Sequence, residues 1–460
     1  MEDFTKFVNT VNGTSVTGEV TQGTDPSTRK KLWDVPVASS EDIENAISAA
    51  KTAFKQWSKT SWSERQNALL DARDVLIYHK PALAQLITKE GGKPIQFATM
   101  EVEHSINFLQ FNANQEPLQE QVIQDDDELR LTIREKPLGV IAAICPWNYP
   151  LVLSIAKVAA ALITGNTIIV KPSPFTPYSI LKVVELLQGV FPAGVLQALN
   201  GDDKLGPTLC QHPGVDKITF TGSTATGKKI AQVAGNLLKP VTLELGGNSA
   251  SIVCPDVDPK IVAPQVALGS FMNSGQLCVA SKRVFVHEDI YDEFLETMLN
   301  TVKEWKNEMQ YDIVKSFFQD SIDNGHCFAL GEKPNDSGDS FVIKPAIIDN
   351  PPDDALVVTH EAFGPIVPLM KWKTEDEVIE RANNTLSGLG GAVWSKDVEN
   401  AQRLADRIEA GTIWINSFEK PLPQAHLAGH KESGVGGEWG RRGLGVYCQP
   451  QVIHCYKSRV

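Results

Sequence analysis

The feature that most constrains the fold is a regular alternation of short apolar β runs and helical segments between residues 140 and 245. Short β runs separated by helices of this length indicate a parallel, doubly wound sheet. A second, less regular alternation follows from residue 249 to 416, so the pattern predicts an α/β protein with two such units. The first unit has predicted strands at Val140–Ile144, Thr167–Lys171, 196–200, Lys217–Thr221 and 241–245, and predicted helices at 151–162, 179–188 and 224–234.

The segments on either side of this unit give further predicted elements. Apolar residues at helical spacing predict a helix capped by Ser40, a second helix over 63–90 that stops at Gly91-Gly92, and a third over about 101–115. The alternating segment 129–136 predicts a strand. The second unit has predicted strands near 249–254, 282–287, 342–348, 392–395 and 412–416, predicted helices near 261–273, 291–305 and 398–407, and a polar loop at 335–340.

Composition excludes several classes of protein. A length of 460 residues suggests about three structural units. The net charge of −13 argues against nucleic acid as a partner, because phosphate backbones are bound by clustered Lys and Arg. Seven cysteines are few and odd in number, which favours a reducing compartment over a disulfide scaffold.

No targeting segment is visible. The N-terminus reads Met1-Glu2-Asp3-Phe4, with neither a basic region nor an apolar one, so a cytoplasmic location is expected. The most apolar stretch, 138–170, is interrupted by prolines and by Lys157, and we therefore expect no membrane span.

A glycine-rich turn follows the predicted strand Lys217–Thr221. Gly222 to Lys229 nearly matches a phosphate-binding loop, but Lys229 stands where Ser or Thr would ligate Mg²⁺. The segment is either an ordinary tight turn or a helix N-terminus whose free N–H groups, together with Ser223, hold a phosphate.

Cys278 lies in a short polar stretch between a predicted helix and a predicted strand. A lone cysteine is usually a small buried hydrophobic residue, and no histidine is placed to activate this one. A nucleophilic role would therefore depend on local electrostatics. There is no Cys-x-x-Cys and no Cys/His quartet, so we expect no metal site.

Glu244 ends a predicted strand, directly before Leu245-Gly246-Gly247. It is either a surface or capping residue, or a general base, since burial raises the pKa of a carboxyl group toward the working pH.

Taken together, these segments resemble the NAD(P)-dependent aldehyde dehydrogenase family over nearly the whole chain. The segments that carry the resemblance are Pro146-Trp-Asn-Tyr-Pro150, Lys171-Pro-Ser-Pro174, Phe220-Thr-Gly-Ser223, Glu244-Leu-Gly-Gly247, Gly275-Gln-Leu-Cys278, Glu361-Ala-Phe-Gly-Pro365, Asn384-Thr-Leu-Ser-Gly388 and Lys431-Glu-Ser-Gly434.

The resemblance implies a covalent mechanism. Cys278 would attack the aldehyde carbon as a thiolate and form a thiohemiacetal. The Asn148 side-chain amide and the Cys278 backbone N–H would hold the oxyanion. Hydride transfer to the cofactor would leave a thioester, and Glu244 would activate the water that hydrolyses it.

The resemblance also implies NAD or NADP as the cofactor. Lys171 would meet the adenine-side ribose, Gly222 and Ser223 the pyrophosphate, and Glu361 the nicotinamide ribose. The other cofactor-binding residues that it implies are Trp147, Ser173, Pro174, Gly246, Gln310 and Phe363.

Relatives often line the substrate tunnel with aromatic rings. At the matching positions this chain has Tyr149 but also the small or aliphatic Ala156, Met272 and Leu427. Leu153 and Leu277 complete the predicted tunnel. We therefore expect a wide apolar tunnel that takes medium or bulky apolar aldehydes.

The segment after Trp305 is shorter than the resemblance would require, by about 15 residues when set against ordinary loop lengths. It is either a natural deletion or an error in the gene model. Because Gln310 and Tyr311 lie close by, it could weaken activity.

The resemblance implies three structural parts: a cofactor-binding domain of residues 1–118 and 138–246, a catalytic domain of residues 247–431, and a small β-flap of residues 119–137 and 432–460. Both larger domains would be Rossmann-like. In relatives the flap pairs across a dimer, so a homodimer or homotetramer is expected.

Two other functions stay open. In a CoA-acylating relative, CoA would take the acyl group in place of water, although Glu244 argues against this because such enzymes tend to dispense with the base. The chain could also be a structural or binding protein on the same scaffold, since a fold never proves a function.

Cofactor choice gives a testable prediction. Relatives that prefer NAD often carry a glutamate where this chain has Pro174, and that carboxylate would bind the ribose hydroxyls and repel a 2′-phosphate. We expect this chain to accept NADP. Steady-state kinetics that show NADP to be unused at millimolar concentration would contradict the prediction.

Overall fold

The computed structural model describes residues 3–303, 305, 307–308, 311–332, 342–418, 420 and 422–457. The cofactor-binding candidate Gln310 and the polar loop predicted at 335–340 lie outside these residues.

The first alternation forms an eight-stranded sheet. Its five central strands are parallel, and the strands at its edges pair antiparallel. The order across the sheet is Thr14–Val16, Asn9–Val11, Leu196–Ala198, Thr167–Lys171, Val140–Ile144, Lys217–Thr221, Val241–Glu244 and Gly434–Val435. The helices that accompany it are Ser40–Trp57, Trp62–Gly91, Ile95–Ala113, Pro150–Ile163, Tyr178–Leu186, Leu205–Gln211 and Thr224–Leu237.

Alternate residues of the central strand Val140–Ile144 enter two different cores. Ile141 and Ala143 belong to one hydrophobic cluster, and Val140 and Ala142 belong to the other. Because successive side chains of a strand point to opposite faces, both faces of the sheet are covered. The doubly wound arrangement predicted from the sequence is confirmed.

A seven-stranded sheet forms the second unit in the same way, since Ile252 and Val253 enter separate clusters. Its order is Cys327–Leu330, Ala346–Asp349, Ile366–Trp372, Ser281–His287, Ser249–Val253, Gly390–Trp394 and Thr412–Ile415. All of these strands are parallel except the first. The helices of this unit are Pro259–Phe271, Tyr291–Val302, Tyr311–Asp323, Leu356–Thr359, Glu375–Asn383 and Val398–Ala405.

A separate three-stranded antiparallel sheet corresponds to the predicted flap. It consists of Gln121–Asp125, Leu129–Pro137 and Cys448–Tyr456. The strand Gly434–Val435, which the predicted boundary assigns to the flap, pairs instead with Val241–Glu244 of the first sheet. Three further pairs of strands are antiparallel: Val20–Thr24 with Lys31–Pro36, Asn307–Glu308 with Val342–Ile343, and Ser387–Gly388 with His430–Lys431. The remaining helical elements are the helix Arg442–Gly445 and the 3₁₀ turns Leu187–Gly189, Met272–Gly275 and Glu288–Ile290.

Several local predictions differ from the structure. The first helix is capped by Ser39 rather than Ser40, because the Ser39 hydroxyl accepts the Asp42 N–H and the Asp42 carboxylate accepts the Ser39 N–H. The strand predicted at 342–348 is interrupted where Pro345 removes a backbone donor. Among the described residues, no helix is both long and apolar enough to cross a membrane.

Candidate active site

One cavity collects the three residues predicted to be catalytic. Asn148, Glu244 and Cys278 all line it, and its volume is about 1240 Å³ with the open mouth included. Glu244 ends a strand of the first sheet, and Asn148 lies between a strand of that sheet and the helix Pro150–Ile163. Cys278 comes from the second unit, just before the strand Ser281–His287. The cavity is therefore built where strand ends of the first sheet meet the second unit, a usual place for a site in α/β proteins.

The loop before Cys278 has an unusual backbone. Asn273, Ser274 and Gly275 are consecutive residues with positive φ angles of 51°, 60° and 70°. A Cβ on Gly275 would collide with the Gly364 carbonyl oxygen, and the Lys282 ammonium donates a hydrogen bond to the Gly275 carbonyl. Backbone of this kind costs free energy and persists only where its surroundings hold it. The loop is thus held in one shape by its neighbours.

Two glycines after Glu244 allow the two units to approach closely. A Cβ on Gly247 would collide with the Cys278 carbonyl oxygen, and one on Gly246 would lie 2.6 Å from a carboxylate oxygen of Glu361. A larger residue at position 247 would require a shift of backbone, and one at position 246 would require the Glu361 side chain to move. Gly246 and Gly247 thereby bring the end of the Glu244 strand next to Cys278 and Glu361.

Asn148 is buried, and its side-chain amide is fixed in place. The amide Nδ2 donates a hydrogen bond of 2.9 Å to the Gln276 carbonyl oxygen, two residues before Cys278. An amide nitrogen carries two hydrogens, so one N–H stays available for a second acceptor. Asn148 therefore holds a neutral donor beside the nucleophile loop.

Burial controls the charge state of this site. Glu244 is 4% exposed, and neither of its carboxylate oxygens has a hydrogen-bond partner among the described residues. Burial raises the pKa of Glu244 well above its usual value, and the nearby charge of Glu438 raises it further. Burial also raises the pKa of the Cys278 thiol to about 12, with smaller contributions from Glu361 and Glu244. Cys278 therefore holds its proton at neutral pH, and the equilibrium at Glu244 is shifted toward its protonated form.

The structure places five of the six predicted tunnel residues on the cavity wall, namely Tyr149, Leu153, Met272, Leu277 and Leu427. Ala156 does not line the cavity; it packs with Phe108 and Val152 in a small cluster that also contacts Trp439.

Several lining residues are not found by reasoning from sequence. Phe97, Met100, His104 and Phe108 line the cavity from one helix, Ile95–Ala113. Their spacing of three and four residues is a signal for one helix face. Trp414 and Trp439 also line the cavity, so the tunnel is more aromatic than expected. The local sequence around Trp414 and Trp439 gives no indication that their side chains line the cavity.

Reasoning from sequence also does not find a buried ion pair close to Glu244. The Lys157 ammonium lies 2.5 and 2.7 Å from the two carboxylate oxygens of Glu438, and both side chains are buried. The Thr219 hydroxyl donates to the same carboxylate. Lys157 and Glu438 are 281 positions apart in the chain, so spacing gives no indication of the pair.

The residues expected to bind the cofactor lie around the ends of the same strands. Ser223 caps the helix Thr224–Leu237 and accepts the Thr226 N–H at 3.3 Å, and the Gly222 N–H donates to the Glu244 carbonyl at 3.1 Å. The rings of Trp147 and Phe363 meet edge to face, with centroids 5.6 Å apart.

One carboxylate oxygen of Glu361 and the N-terminus of the helix Thr224–Leu237 are the groups that suit a dinucleotide. Glu361 has one buried oxygen with no partner among the described residues, which suits an acceptor of ribose hydroxyls. The helix N-terminus at Ser223 suits a pyrophosphate. Farther along the sheet, Lys171 donates to the Pro172 carbonyl at 2.9 Å, and the Ser173 hydroxyl accepts the Phe175 N–H at 3.3 Å. The residues present fit a nicotinamide dinucleotide.

These features define a class: α/β proteins with two large sheets, in which a half-buried cysteine and a buried carboxylate lie in a cleft beside a dinucleotide-type sheet. The aldehyde dehydrogenase family model matches residues 14–453, and the chain belongs to this family.

Relatives and solved structures agree with this assignment. The chain is 42% identical to a putative aldehyde dehydrogenase, FUS7, of Gibberella fujikuroi, over 99% of this chain and 100% of the relative. It is 38% identical to aldehyde dehydrogenase LUC3 of a Fusarium species, with the same coverage. A Bacillus cereus aldehyde dehydrogenase superposes with a TM-score of 0.95 at 31% identity, covering 98% of this chain and 97% of that one. The predicted aldehyde dehydrogenase-like fold is confirmed.

The length of this chain can be compared with that of FUS7. The whole of FUS7 aligns within 462 positions, so that relative is no longer than 462 residues. The chain of 460 residues is therefore close in length to this relative.

The charge state of Cys278 gives a testable prediction. Because the thiolate is the nucleophile and the pKa of Cys278 is raised to about 12, its alkylation should keep accelerating with pH. We expect the rate of iodoacetamide labelling at Cys278 to rise by about tenfold per pH unit between pH 7 and 10. Peptide mass spectrometry measures the rate, and Cys278→Ser is the blank. A plateau below pH 9 would contradict the raised pKa.

Proposed function

We propose that this protein oxidises an aldehyde to a carboxylic acid with NAD or NADP, through a covalent intermediate on Cys278. The observation that carries the proposal is the convergence of Cys278, Asn148 and the buried Glu244 on one apolar cavity, where the Glu244 carboxylate has no hydrogen-bond partner in the described part of the chain. A nucleophile, an oxyanion donor and a base are the groups that a two-step acyl route needs.

Cys278 first gives its proton to solvent, and its sulfur then bonds to the aldehyde carbon. The carbonyl π electrons move onto oxygen, and the negative oxygen accepts hydrogen bonds from the free N–H of Asn148 and from the Cys278 backbone N–H. Asn148 is neutral, so it stabilises this oxygen without forming an ion pair with the thiolate.

Glu361 and the helix N-terminus at Ser223 would hold the nicotinamide dinucleotide, which would supply the two-electron oxidation as the hydride acceptor. Loss of the hydride from the former aldehyde carbon would convert the thiohemiacetal on Cys278 into a thioester. Glu244 then takes a proton from water, whose oxygen attacks the thioester carbon. The C–S bond breaks, the acid leaves, and Cys278 recovers its thiol. The raised pKa of Glu244 makes its carboxylate a stronger base than an exposed one.

Both forms of the cofactor have support. A Bacillus cereus aldehyde dehydrogenase of 31% identity is described as an NAD⁺ complex, and an Escherichia coli protein of 30% identity as an NADP-dependent enzyme. Pro174 is exposed and adds no carboxylate against a 2′-phosphate.

The three-part domain division, the homo-oligomer and the cytoplasmic location belong to the same proposal. The three-stranded flap exposes apolar side chains of Val122, Ile123 and Val452, as a surface that pairs with a second copy would. Light scattering at the mass of two or four chains would support the oligomer, and the mass of one chain would oppose it.

The Cys278→Ser variant tests the proposed chemistry. A hydroxyl is a far weaker nucleophile without a strong base, so aldehyde-dependent NADH formation should fall to below about one-thousandth of the wild-type rate. Absorbance at the NADH band measures it. Cys455→Ser, at an exposed cysteine in the flap, is the matched control and should keep full activity. If Cys278→Ser stays active, or if product forms only when CoA is added, the proposed route is wrong.

Substrate size gives a separate prediction. The cavity wall is largely apolar and aromatic, and each buried methylene adds to binding by about 0.8 kcal/mol. We expect a higher kcat/KM for hexanal and benzaldehyde than for acetaldehyde. Initial-rate measurements with the three aldehydes decide the matter, and a preference for acetaldehyde would refute the expectation.

A further inference from the structure

We propose that Lys93 and Glu101 act as positioning residues that hold Asn148 where the oxyanion forms. This inference rests on the proposed function, because it assigns a role to the oxyanion donor of that reaction. Neither residue is the nucleophile, the base or a cofactor-binding candidate, although Glu101 forms part of the cavity wall. The side chains of both are almost fully buried, at 2% and 0% exposure. Burying two charges costs several kcal/mol unless their contacts repay it.

Lys93 contacts the backbone of the oxyanion donor directly. Its ammonium donates a hydrogen bond of 2.8 Å to the Asn148 carbonyl oxygen and pairs with the Glu101 carboxylate. The same ammonium lies 3.7 Å from the centre of the Tyr149 ring, which favours a cation over its face. Lys93 therefore contacts two consecutive residues of the loop that carries the donor.

Glu101 holds the other side of this loop. One of its carboxylate oxygens accepts the backbone N–H of Leu151 at 2.9 Å and of Val152 at 3.4 Å. These N–H groups belong to the first turn of Pro150–Ile163, where the N-cap residue Tyr149 provides no side-chain hydrogen bond. Glu101 thus replaces the missing cap, and its negative charge suits a helix N-terminus.

The contacts of Lys93, Glu101 and the Gln276 carbonyl fix Asn148 from three directions. Lys93 holds its carbonyl, Glu101 holds the helix that follows, and Gln276 accepts its side-chain N–H. A shift of about 1 Å in a catalytic donor can cost on the order of a hundredfold in rate. We infer that the buried pair prevents such a shift.

The test compares two reactions of Cys278 that differ in their need for an oxyanion donor. With p-nitrophenyl acetate, the thiolate bonds to the ester carbon, a negative oxygen forms, and the C–O bond then breaks to release p-nitrophenolate. With iodoacetamide, the thiolate displaces iodide at a CH₂ group and no oxyanion forms. Release of p-nitrophenolate in the first turnover measures acylation, because Glu244 can hydrolyse the acyl product, and Cys278→Ser is the blank. Peptide mass spectrometry measures alkylation of Cys278.

The main variant is the double substitution Lys93→Met with Glu101→Gln, which removes both charges together and keeps the side-chain lengths. We expect acylation of Cys278 to slow by about 10- to 100-fold, while alkylation stays within about twofold of wild type. Glu101→Gln alone keeps an oxygen for the Leu151 N–H and should show a smaller loss of acylation. If the double variant does not fold, the single variant Glu101→Gln provides the test in its place.

Lys182→Met is the matched control. Lys182 is equally buried, donates to a backbone carbonyl, that of Asp3, at 2.9 Å, and pairs with Glu185 at 2.6 Å. It lies on the helix Tyr178–Leu186, outside the residues that line the cavity. We expect its loss to lower thermal stability but to change neither reaction rate.

Two outcomes would overturn the inference: unchanged acylation in the double variant, or an equal fall in acylation and alkylation, since a purely structural role affects both. The assay contains neither aldehyde nor dinucleotide. A wild-type protein that fails to form NADH would therefore refute the proposed function, while the two Cys278 rates still decide the role of Lys93 and Glu101.

Discussion

The site depends on the close approach of two backbone segments that belong to different sheets. Gly247, just beyond the last parallel strand of the first sheet, lies against the Cys278 carbonyl, where any larger residue would collide with it. This approach brings together a carboxylate from one unit and a thiol from the other. The carboxylate lies at the end of a rigid strand, and the thiol lies on a loop held by its neighbours. The packing of the two sheets therefore sets the position of one group relative to the other.

Charge is the second constraint on this arrangement. Glu244, Glu361 and Glu438 bring three carboxylates to the same part of the site, and desolvation raises the pKa of Glu244 and of Glu361. Lys157 neutralises Glu438, whereas Glu244 has no partner among the described residues. An unpaired buried carboxyl group costs free energy, and its raised pKa is the property that a general base near neutral pH requires.

Much of this arrangement could be predicted from the sequence, and the remainder shows which information a sequence lacks. The parallel strands were predictable because buried strands read as continuous apolar runs between helices. Cys278, Glu244 and Asn148 were predictable from local motifs and the family resemblance, since each motif is contiguous. The pair of Lys157 and Glu438 was not, because its members meet only through the tertiary fold. The first helix is capped by Ser39 and not by Ser40, because the sequence alone does not decide which of two adjacent serines has the backbone geometry of an N-cap residue.

The central claim is that an aldehyde becomes a thioester on Cys278 and that Glu244 is needed to release it. The most direct measurement is peptide mass spectrometry of the Glu244→Gln variant after mixing with NAD and hexanal. Our interpretation predicts an adduct on the Cys278 peptide with the mass of the aldehyde less two hydrogens, formed together with about one NADH per site. NADH formation with no adduct on Cys278, or with the adduct on another cysteine, would contradict it.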